Sequence, residues 1–245
     1  MKTNVLLLMA SLMLVFSSCT VRIGEGGDLI EPSEKIVKVK YQQDAFDKFE
    51  NRVVGNILLV QTTDSTSGVK VSAPENYIEL LNFKNENGKL ILDFANGNYN
   101  LEVDSIKITV YSPNFKEIVN KGAADIRLNG LNSENLELTN SGVGAFNFSN
   151  LVVRKVNVLC SGVGSIKMNG RAGKVDYRCT GVGNIEAKDL KARRVDANVN
   201  GVGGIECFAS EYLHGRVTGV GSLRYAGHPK KTDLHHSMTG SISEL

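Results

Sequence analysis

The sequence predicts an all-β protein whose main body is a parallel β-solenoid with about 20 residues per coil. Three observations predict it: the tripeptide Gly-Val-Gly occurs five times, neighbouring copies are 18–20 residues apart, and apolar residues alternate with polar ones around each copy. With 245 residues, of which 42% are hydrophobic, the chain is long enough to bury a sizeable core. Its net charge of +2 argues against a protein that binds nucleic acid through a basic face.

The N-terminal segment has the pattern of a bacterial secretory signal. Its apolar run, Val5–Phe16, is too short to span a bilayer as a mature helix. Residues 14–19 (LVFSSC) resemble a lipobox, in which Cys19 becomes the lipidated first residue. We therefore expect a signal peptide at 1–18, a lipidated flexible tether at 19–34, and a lipid-anchored cell-envelope protein of the outer membrane, facing the periplasm or the surface. The alternative is an ordinary signal peptide with Cys19 free.

The tripeptides are predicted to form a glycine corner in each coil. Glycine permits positive φ and close approach between neighbouring coils, and we expect the central valine to point inward and fill the corner. Degenerate copies stand at 122–124 and 238–240. The predicted corner glycines are Gly142, Gly144, Gly162, Gly164, Gly181, Gly183, Gly201, Gly203, Gly219 and Gly221.

Columns of equivalent residues define the stack. We count from the last residue of each tripeptide, which we call the reference glycine (Ala124 in the first unit). The columns two and four positions later and six and eight positions earlier are largely apolar, which is strand spacing and not helix spacing. The column two positions later contains Ile126, Phe146, Ile166, Ile185, Ile205, Leu223 and Ile242. Coils stacked about 4.8 Å apart turn each column into a continuous ladder. A right-handed β-helix is preferred, although the spacing does not determine the handedness.

The chain between the tether and the repeat is β-rich but irregular. Several apolar stretches are separated by turn signals, including Asn87-Gly88, which is typical of a hairpin. We predict one solenoid domain at 35–245, with longer and looser leading coils at 35–115 that cap the stack, and regular coils at 116–245.

Together with the pair Phe46-x-x-Phe49 and the stretch 56–61 (NILLVQ), the tripeptide units resemble a known family, putative auto-transporter adhesin, head GIN domain. The resemblance covers nearly all of the mature chain. It implies a β-helical fold, a bacterial envelope location and an adhesive role, and it brings no catalytic residues to carry over. The departures are Ala124 in the first unit and Met238 in the last, at the two ends of the repeat.

An acidic column marks the candidate ligand surface. Seven positions before the reference glycine stand Glu117, Glu137, Asn157, Asp176, Asp196, His214 and Asp233. Stacked acids repel one another, and cations flank this column on both sides. The candidate surface consists of Glu137, Asp176, Asp196, Lys174, Arg194 and Arg178. It is either a solvated face whose charges neutralise each other, or a shallow groove for a cation or an anionic glycan.

We expect a non-enzymatic lipoprotein that presents this surface to a glycan or to a host or envelope protein. The alternative is a β-helical hydrolase or lyase that acts on polysaccharides through Glu137, Asp176 and Asp196, since glycosidases use two carboxylates. Units of 18–20 residues leave almost no room for the loops that such an enzyme needs. No cofactor, metal site or nucleic-acid partner is expected. The sequence leaves open a structural or sensory role and the oligomeric state.

The cysteines after Cys19 pose one further question. Cys160 and Cys179 share the column four positions before the reference glycine, so their Cα atoms should lie about 4.8 Å apart, close enough for a disulfide. The same column contains Val199 and Val217, which favours buried thiols. The disulfide and the thiol pair both remain open from sequence, and Cys207 is expected to be a free core thiol.

Overall fold

The computed structural model describes residues 29–95 and 99–245 and confirms the parallel β-solenoid. The strands of its N-terminal part are β1 (Ile36–Gln42), β2 (Lys48–Asn51), β3 (Val54–Gln61), β4 (Gly68–Pro74), β5 (Leu81–Glu86), β6 (Lys89–Phe94) and β7 (Lys107–Ser112). The strands of the repeat are β8 (Glu117–Asn120), β9 (Ala123–Asn140), β10 (Val143–Cys160), β11 (Val163–Cys179), β12 (Val182–Val199), β13 (Val202–Val217), β14 (Val220–Ala226), β15 (Lys231–His236) and β16 (Ser241–Glu244).

In the described part of the chain, helical structure is confined to a short helix, α1 (Glu75–Ile78), and a 3₁₀ turn (Val103–Ser105). Within residues 29–95 and 99–245, no helix has the length and apolar character needed to span a bilayer.

The regular coils stack in the register that the tripeptides predict. Each coil is one long bent strand, and β9 to β13 pair in parallel with their neighbours along most of their length. The reference glycine of each coil lies beside that of the next, from Gly144 through Gly164 to Gly221. This register brings identical positions together, so each predicted column is a ladder in the folded protein.

The core lies along the inside of this stack. From Ile126 to Leu223, the column two positions after the reference glycine is at most 1% exposed. Phe146 and Phe148 add a stacked aromatic pair with ring centroids 5.3 Å apart. Apolar surface buried in this way stabilises a fold by about 25 cal/mol per Å², so the stacked columns, which single coils lack, hold the solenoid together.

In the N-terminal part, the order of strands in space departs from the order along the chain. The coil formed by β2 and β3 lies between the coil of β8 and β9 on one side and a layer of β6 and β7 on the other. Strand β4 then adds antiparallel to β7, β1 adds antiparallel to β4, and β5 adds antiparallel to β6. These antiparallel strands close this end of the solenoid.

The coil of β2 and β3 is itself a hidden copy of the repeat. Gly55 pairs with Ala124, and Ile57 with Ile126, so the segment Val53-Val54-Gly55 occupies the tripeptide position. Both valines are buried, at 0% and 2% exposure. The parallel solenoid therefore extends into the irregular part of the sequence.

The residues just before β1 lie against α1. The Tyr77 hydroxyl donates a hydrogen bond to the Ile30 carbonyl (2.6 Å), and the Asn76 amide donates to the Glu31 carbonyl (2.9 Å). Ile30 and Glu31 belong to the segment expected as a tether, and in the structure they are hydrogen-bonded to α1.

Candidate ligand-binding surface

The glycine corner is built by close approach of backbones. A Cβ at Gly162 would lie 2.0 Å from the carbonyl oxygen of Gly142, and one at Gly164 would lie 2.0 Å from that of Gly144. Gly164 and Gly203 also have φ near +144° and +143°, a region that favours glycine. All ten predicted glycines stack at this corner, where a side chain would collide with the coil below.

The valine between the glycines points outward, so the prediction that it fills the corner is wrong. The exposed fraction of this residue is 44–61% in each of five coils. The flanking glycines bring the backbone so close to the coil below that only the solvent side has room for a side chain. The exposed row consists of Val143, Val163, Val182, Val202 and Val220.

A buried column beside the corner changes chemistry along the solenoid. Asn51 donates to the Asn120 side chain (2.9 Å), and Asn120 donates to the Asn140 side chain (3.1 Å). Each amide also donates to a corner carbonyl, as Asn140 does to that of Gly144 (3.0 Å). In the next coils the column continues as Cys160, Cys179, Val199 and Val217.

The three cysteines after Cys19 are buried free thiols in this structure, as expected for Cys207. The Cys179 thiol donates to the Gly183 carbonyl (3.3 Å), which replaces the amide contact of the earlier coils. The hydrogen bond between Cys160 and Cys179, together with burial, raises the pKa of Cys160. Burial raises the pKa of Cys207 to about 12. Cys160 and Cys207 are therefore protonated at neutral pH and are poor nucleophiles, whereas the hydrogen bond with Cys160 lowers the pKa of Cys179.

Part of the predicted ligand surface converges on one hollow of about 370 Å³. Glu137, Lys155, Asn157, Asp176 and Arg178 line it from three neighbouring coils. The Arg178 guanidinium donates to the Asp176 carboxylate (3.1 Å), and this hydrogen bond raises the pKa of Arg178. The hollow thus presents both signs of charge within a few ångströms.

The remaining predicted residues lie beside this hollow and do not line it. Asp196 pairs in register with Asp176 and accepts a hydrogen bond from Asn198 (2.6 Å). The Arg194 guanidinium contacts the Glu211 carboxylate (3.6 Å). Lys174 pairs in register with Lys155 and Arg194, so the cations form their own ladder next to the acidic column.

Two further predictions concern sites away from this surface. Cys19 lies outside the described residues. In the part of the chain that the structure describes, no group of three His, Cys, Asp or Glu side chains is arranged to hold a metal ion.

The matching family model covers residues 45–229 and is described as putative auto-transporter adhesin, head GIN domain. The chain belongs to this family. The match spans β2 to β14, which includes most of the irregular N-terminal strands as well as regular coils, and it confirms the resemblance drawn from the sequence. No curated protein shows significant similarity to this chain.

Solved structures share the fold of this head GIN chain. One described as a putative adhesin from Bacteroides fragilis NCTC 9343 is 34% identical and covers 88% of this chain and 100% of its own, with a TM-score of 0.85. A putative lipid binding protein from Parabacteroides distasonis ATCC 8503 (19% identity, 89% and 100% coverage) has a TM-score of 0.67. A putative adhesin from Parabacteroides merdae ATCC 43184 (22% identity, 89% and 100% coverage) has a TM-score of 0.63. The last two support the fold alone.

The head GIN solenoid carries a cationic surface that the sequence analysis captured only in part. We call it the basic stripe; it consists of Arg154, Lys155, Arg171, Lys174, Lys191, Arg193 and Arg194, all of them exposed. Register shifts between Phe148 and Leu151 and between Lys167 and Asn169 absorb the variation in coil length. Columns counted forward from the glycines lose alignment there. Counting backward from the next tripeptide, as far as twelve positions, would have revealed the stripe.

Proposed function

We propose that this chain is a non-enzymatic adhesin of the bacterial cell envelope, held to a membrane through lipidated Cys19, that presents its regular coils to a glycan or protein partner. The family description and the adhesin description of the 34% identical structure support the adhesive role. The observation that carries the proposal is the continuity of β10, β11 and β12, which run for 17 or 18 residues with no inserted loop and expose in-register rows of polar side chains.

Such a surface suits an extended partner. Rows repeat about every 4.8 Å along the axis, so a long ligand meets the same kind of side chain in coil after coil. Many modest contacts then add up, in the manner of other solenoid binding surfaces. A small substrate, in contrast, is usually enclosed in a pocket that covers most of its surface.

The alternative, a polysaccharide-cleaving enzyme, would use the carboxylates of Asp176 and Asp196. They lie in register on neighbouring strands, and Asp176 lines the hollow described above. Each accepts a hydrogen bond from the residue two positions along, Arg178 or Asn198. This arrangement fits surface charges that are stabilised locally, and it supports the binding role.

One screen tests the binding role against the enzymatic one. The chain from Thr20 onward, which retains every described residue, would be applied to immobilised glycans and to host-matrix proteins. Mass spectrometry of each glycan well would look for cleavage products. We expect saturable binding with no products. New products that vanish in an Asp176→Asn variant would overturn the proposal, and so would silence in both measurements.

The anchor has its own test. Full-length chain expressed in a Bacteroides host should fractionate with membranes and carry the added mass of acyl chains, whereas a Cys19→Ala variant should carry none and be released. A matched Ser18→Ala change should leave the acylated mass in place. An unmodified N-terminal cysteine in the wild-type protein would contradict lipidation while leaving the binding proposal intact.

A further inference from the structure

We infer that the basic stripe of β10–β12 binds an anionic glycan, a polysaccharide bearing sulfate or carboxylate groups whose chain runs along the solenoid axis. The inference rests on the proposed function, because it names the ligand class of the adhesive surface. Four properties of the stripe support it: its local charge, its in-register stacking, the lack of carboxylate partners at its centre, and a hollow between two of its arginines.

Positive charge is concentrated in these coils and nowhere else to the same degree. Residues 150–194 contain ten Lys and Arg residues and only three Asp and Glu residues. Residues 29–115 contain nine basic and twelve acidic residues, so the other end of the solenoid has the opposite sign. A potential of this kind attracts an anionic ligand over roughly the Debye length, about 8 Å at physiological salt.

The cations stack directly on one another. Lys155, Lys174 and Arg194 are register partners on consecutive strands, and Arg171 and Lys191 form a second row. Like charges placed directly opposite each other destabilise a sheet, so this arrangement costs free energy in the unliganded protein. An anionic chain with groups repeating along the axis relieves the repulsion in every coil at once, which a single small anion does not.

The centre of the stripe forms no ion pair among the described residues, and Lys155 shares its hollow with Glu137 and Asp176 without pairing to either. Its ends are neutralised, since Arg154 contacts Glu134 (2.5 Å) and Arg193 contacts Glu211 (2.7 Å). The central trio of the stripe is Lys155, Arg171 and Lys174. Among the described residues, none of the trio has a carboxylate within ion-pair distance. The protein therefore leaves three neighbouring cations available to a ligand.

A hollow of about 400 Å³ lies beside the trio. Arg154, Arg171 and Gly173 line it together with Glu134, whose carboxylate is paired with the Arg154 guanidinium. A Cβ at Gly173 would lie only 2.6 Å from the Arg154 carbonyl oxygen, so this position carries no side chain that would fill the space. The Arg171 guanidinium, which has no ion pair among the described residues, suits the planar, two-pronged recognition of a carboxylate or sulfate in this hollow.

The same chemistry disfavours a nucleic acid as the ligand. Proteins that bind single strands rely on exposed aromatic rings on which bases stack. The only aromatic residue in 150–194 is Tyr177, which is fully buried. The half-buried rings of Phe208, 4.2 Å from Lys191 Nζ, and of Tyr212, the register partner of Arg194, lie on β13 at the far edge of the stripe. The trio itself offers charge and hydrogen-bond donors, and a polyanionic sugar chain requires no more than that.

Binding of a heparin decasaccharide tests the inference. Titrations of the chain from Thr20 onward would compare this probe with polygalacturonate, neutral dextran and single-stranded DNA of similar length. We expect the two anionic glycans to bind, with an affinity that falls steeply as salt rises, and dextran not to bind. Replacing the trio by glutamine (Lys155→Gln, Arg171→Gln, Lys174→Gln) should weaken heparin binding about tenfold or more.

Two further variants should not weaken heparin binding. The control Lys38→Gln, Lys40→Gln, Lys70→Gln removes three cations that also lack ion pairs among the described residues, but from the sheet of β1 and β4, and it should leave the affinity unchanged. Glu134→Gln releases Arg154 and should tighten binding. Equal losses in both triple variants, or DNA bound as tightly as heparin, would overturn the inference. Binding of neutral glycans or proteins alone would overturn the anionic-glycan inference and leave the adhesin proposal intact. Cleavage products would overturn the adhesin proposal.

Discussion

The regular coils and the N-terminal part share one register but are stabilised by different chemistry. In the regular coils, glycine lies on glycine at the corner, and the neighbouring buried column changes from the amides of Asn120 and Asn140 to thiols and then to valines. In the coil of β2 and β3, valines fill the corner, an amide ladder starts at Asn51, and the carboxylate of Glu50 is buried with a side chain only 5% exposed. The same backbone geometry is therefore stabilised in two ways. Removing one side chain should cost more stability where the buried contacts are polar than where they are apolar.

The largest effect should come from removing the cations around Glu50. Its carboxylate contacts Arg52 (2.6 Å) and Lys121 (2.9 Å). An Arg52→Gln, Lys121→Gln variant leaves a buried carboxylate with weak compensation and should lower the free energy of unfolding by about 3 kcal/mol or more. Denaturant titration measures this loss. The exposed pair Arg154→Gln, Glu134→Gln is the control and should change stability by less than about 1 kcal/mol; equal losses would remove the contrast.

A methyl group at the glycine corner should come next. In Gly162→Ala the new Cβ meets the Gly142 carbonyl, and the collision should cost about 3 kcal/mol, because the backbone of two coils must separate. The neighbouring Val163→Ala removes an exposed side chain and should cost less than about 0.5 kcal/mol. A Val163 variant that is as unstable as the Gly162 variant would contradict the outward orientation of the valine row.

The buried column offers a direct comparison of amide and thiol. Asn140→Val removes a donor to the Gly144 carbonyl and the acceptor for Asn120, so it should cost about 1–3 kcal/mol. Cys160→Val should cost less than about 1.5 kcal/mol, because Val199 and Val217 already fill the same position in later coils. Thermal unfolding of the two variants checks the difference, and a reversed order would show that the thiols, not the amides, hold the column together.

The smallest predicted effect is on acid stability. Burial raises the pKa of Glu50, but the hydrogen bonds from Lys121 and Arg52 outweigh it and hold that pKa below its usual value. A lowered folded-state pKa adds stability above the unfolded-state value of about 4.3, and this stability is lost as the pH falls through the folded-state pKa. Glu50→Gln should flatten the stability profile in this acidic range. Glu134→Gln, at an exposed carboxylate, serves as the control, and a flattening equal to that of Glu50→Gln would contradict the assignment.

The repeat made the regular coils predictable, because each Gly-Val-Gly copy fixes both a corner and the phase of two strands. The N-terminal topology was not predictable from local pattern. Val53-Val54-Gly55 lacks the first glycine. The strands that flank β2 and β3 in space are β6, β7, β8 and β9, which come from distant later parts of the sequence. Long-range pairing of this kind is decided by packing and leaves no local signal.

The candidate site was predictable in type but not in extent. The acidic column and Lys174 followed from the spacing, since they lie close before the reference glycine. Arg171 and Lys191 lie beyond the register shifts, where coil length varies. The outward valines were missed for a different reason, because only the carbonyl of the coil below reveals that the inner side of the corner has no room.

Lysine footprinting tests directly whether the heparin decasaccharide binds at the basic stripe. The regular coils and the N-terminal part each carry lysines that have no ion pair among the described residues, so the two regions can be compared in one experiment. Acetylation of the chain from Thr20 onward, with and without the probe, would be read for each lysine by mass spectrometry. We expect Lys155, Lys174 and Lys191 to become protected while Lys38, Lys40 and Lys70 react as before. Protection of the second set, or equal protection of both, would contradict this expectation.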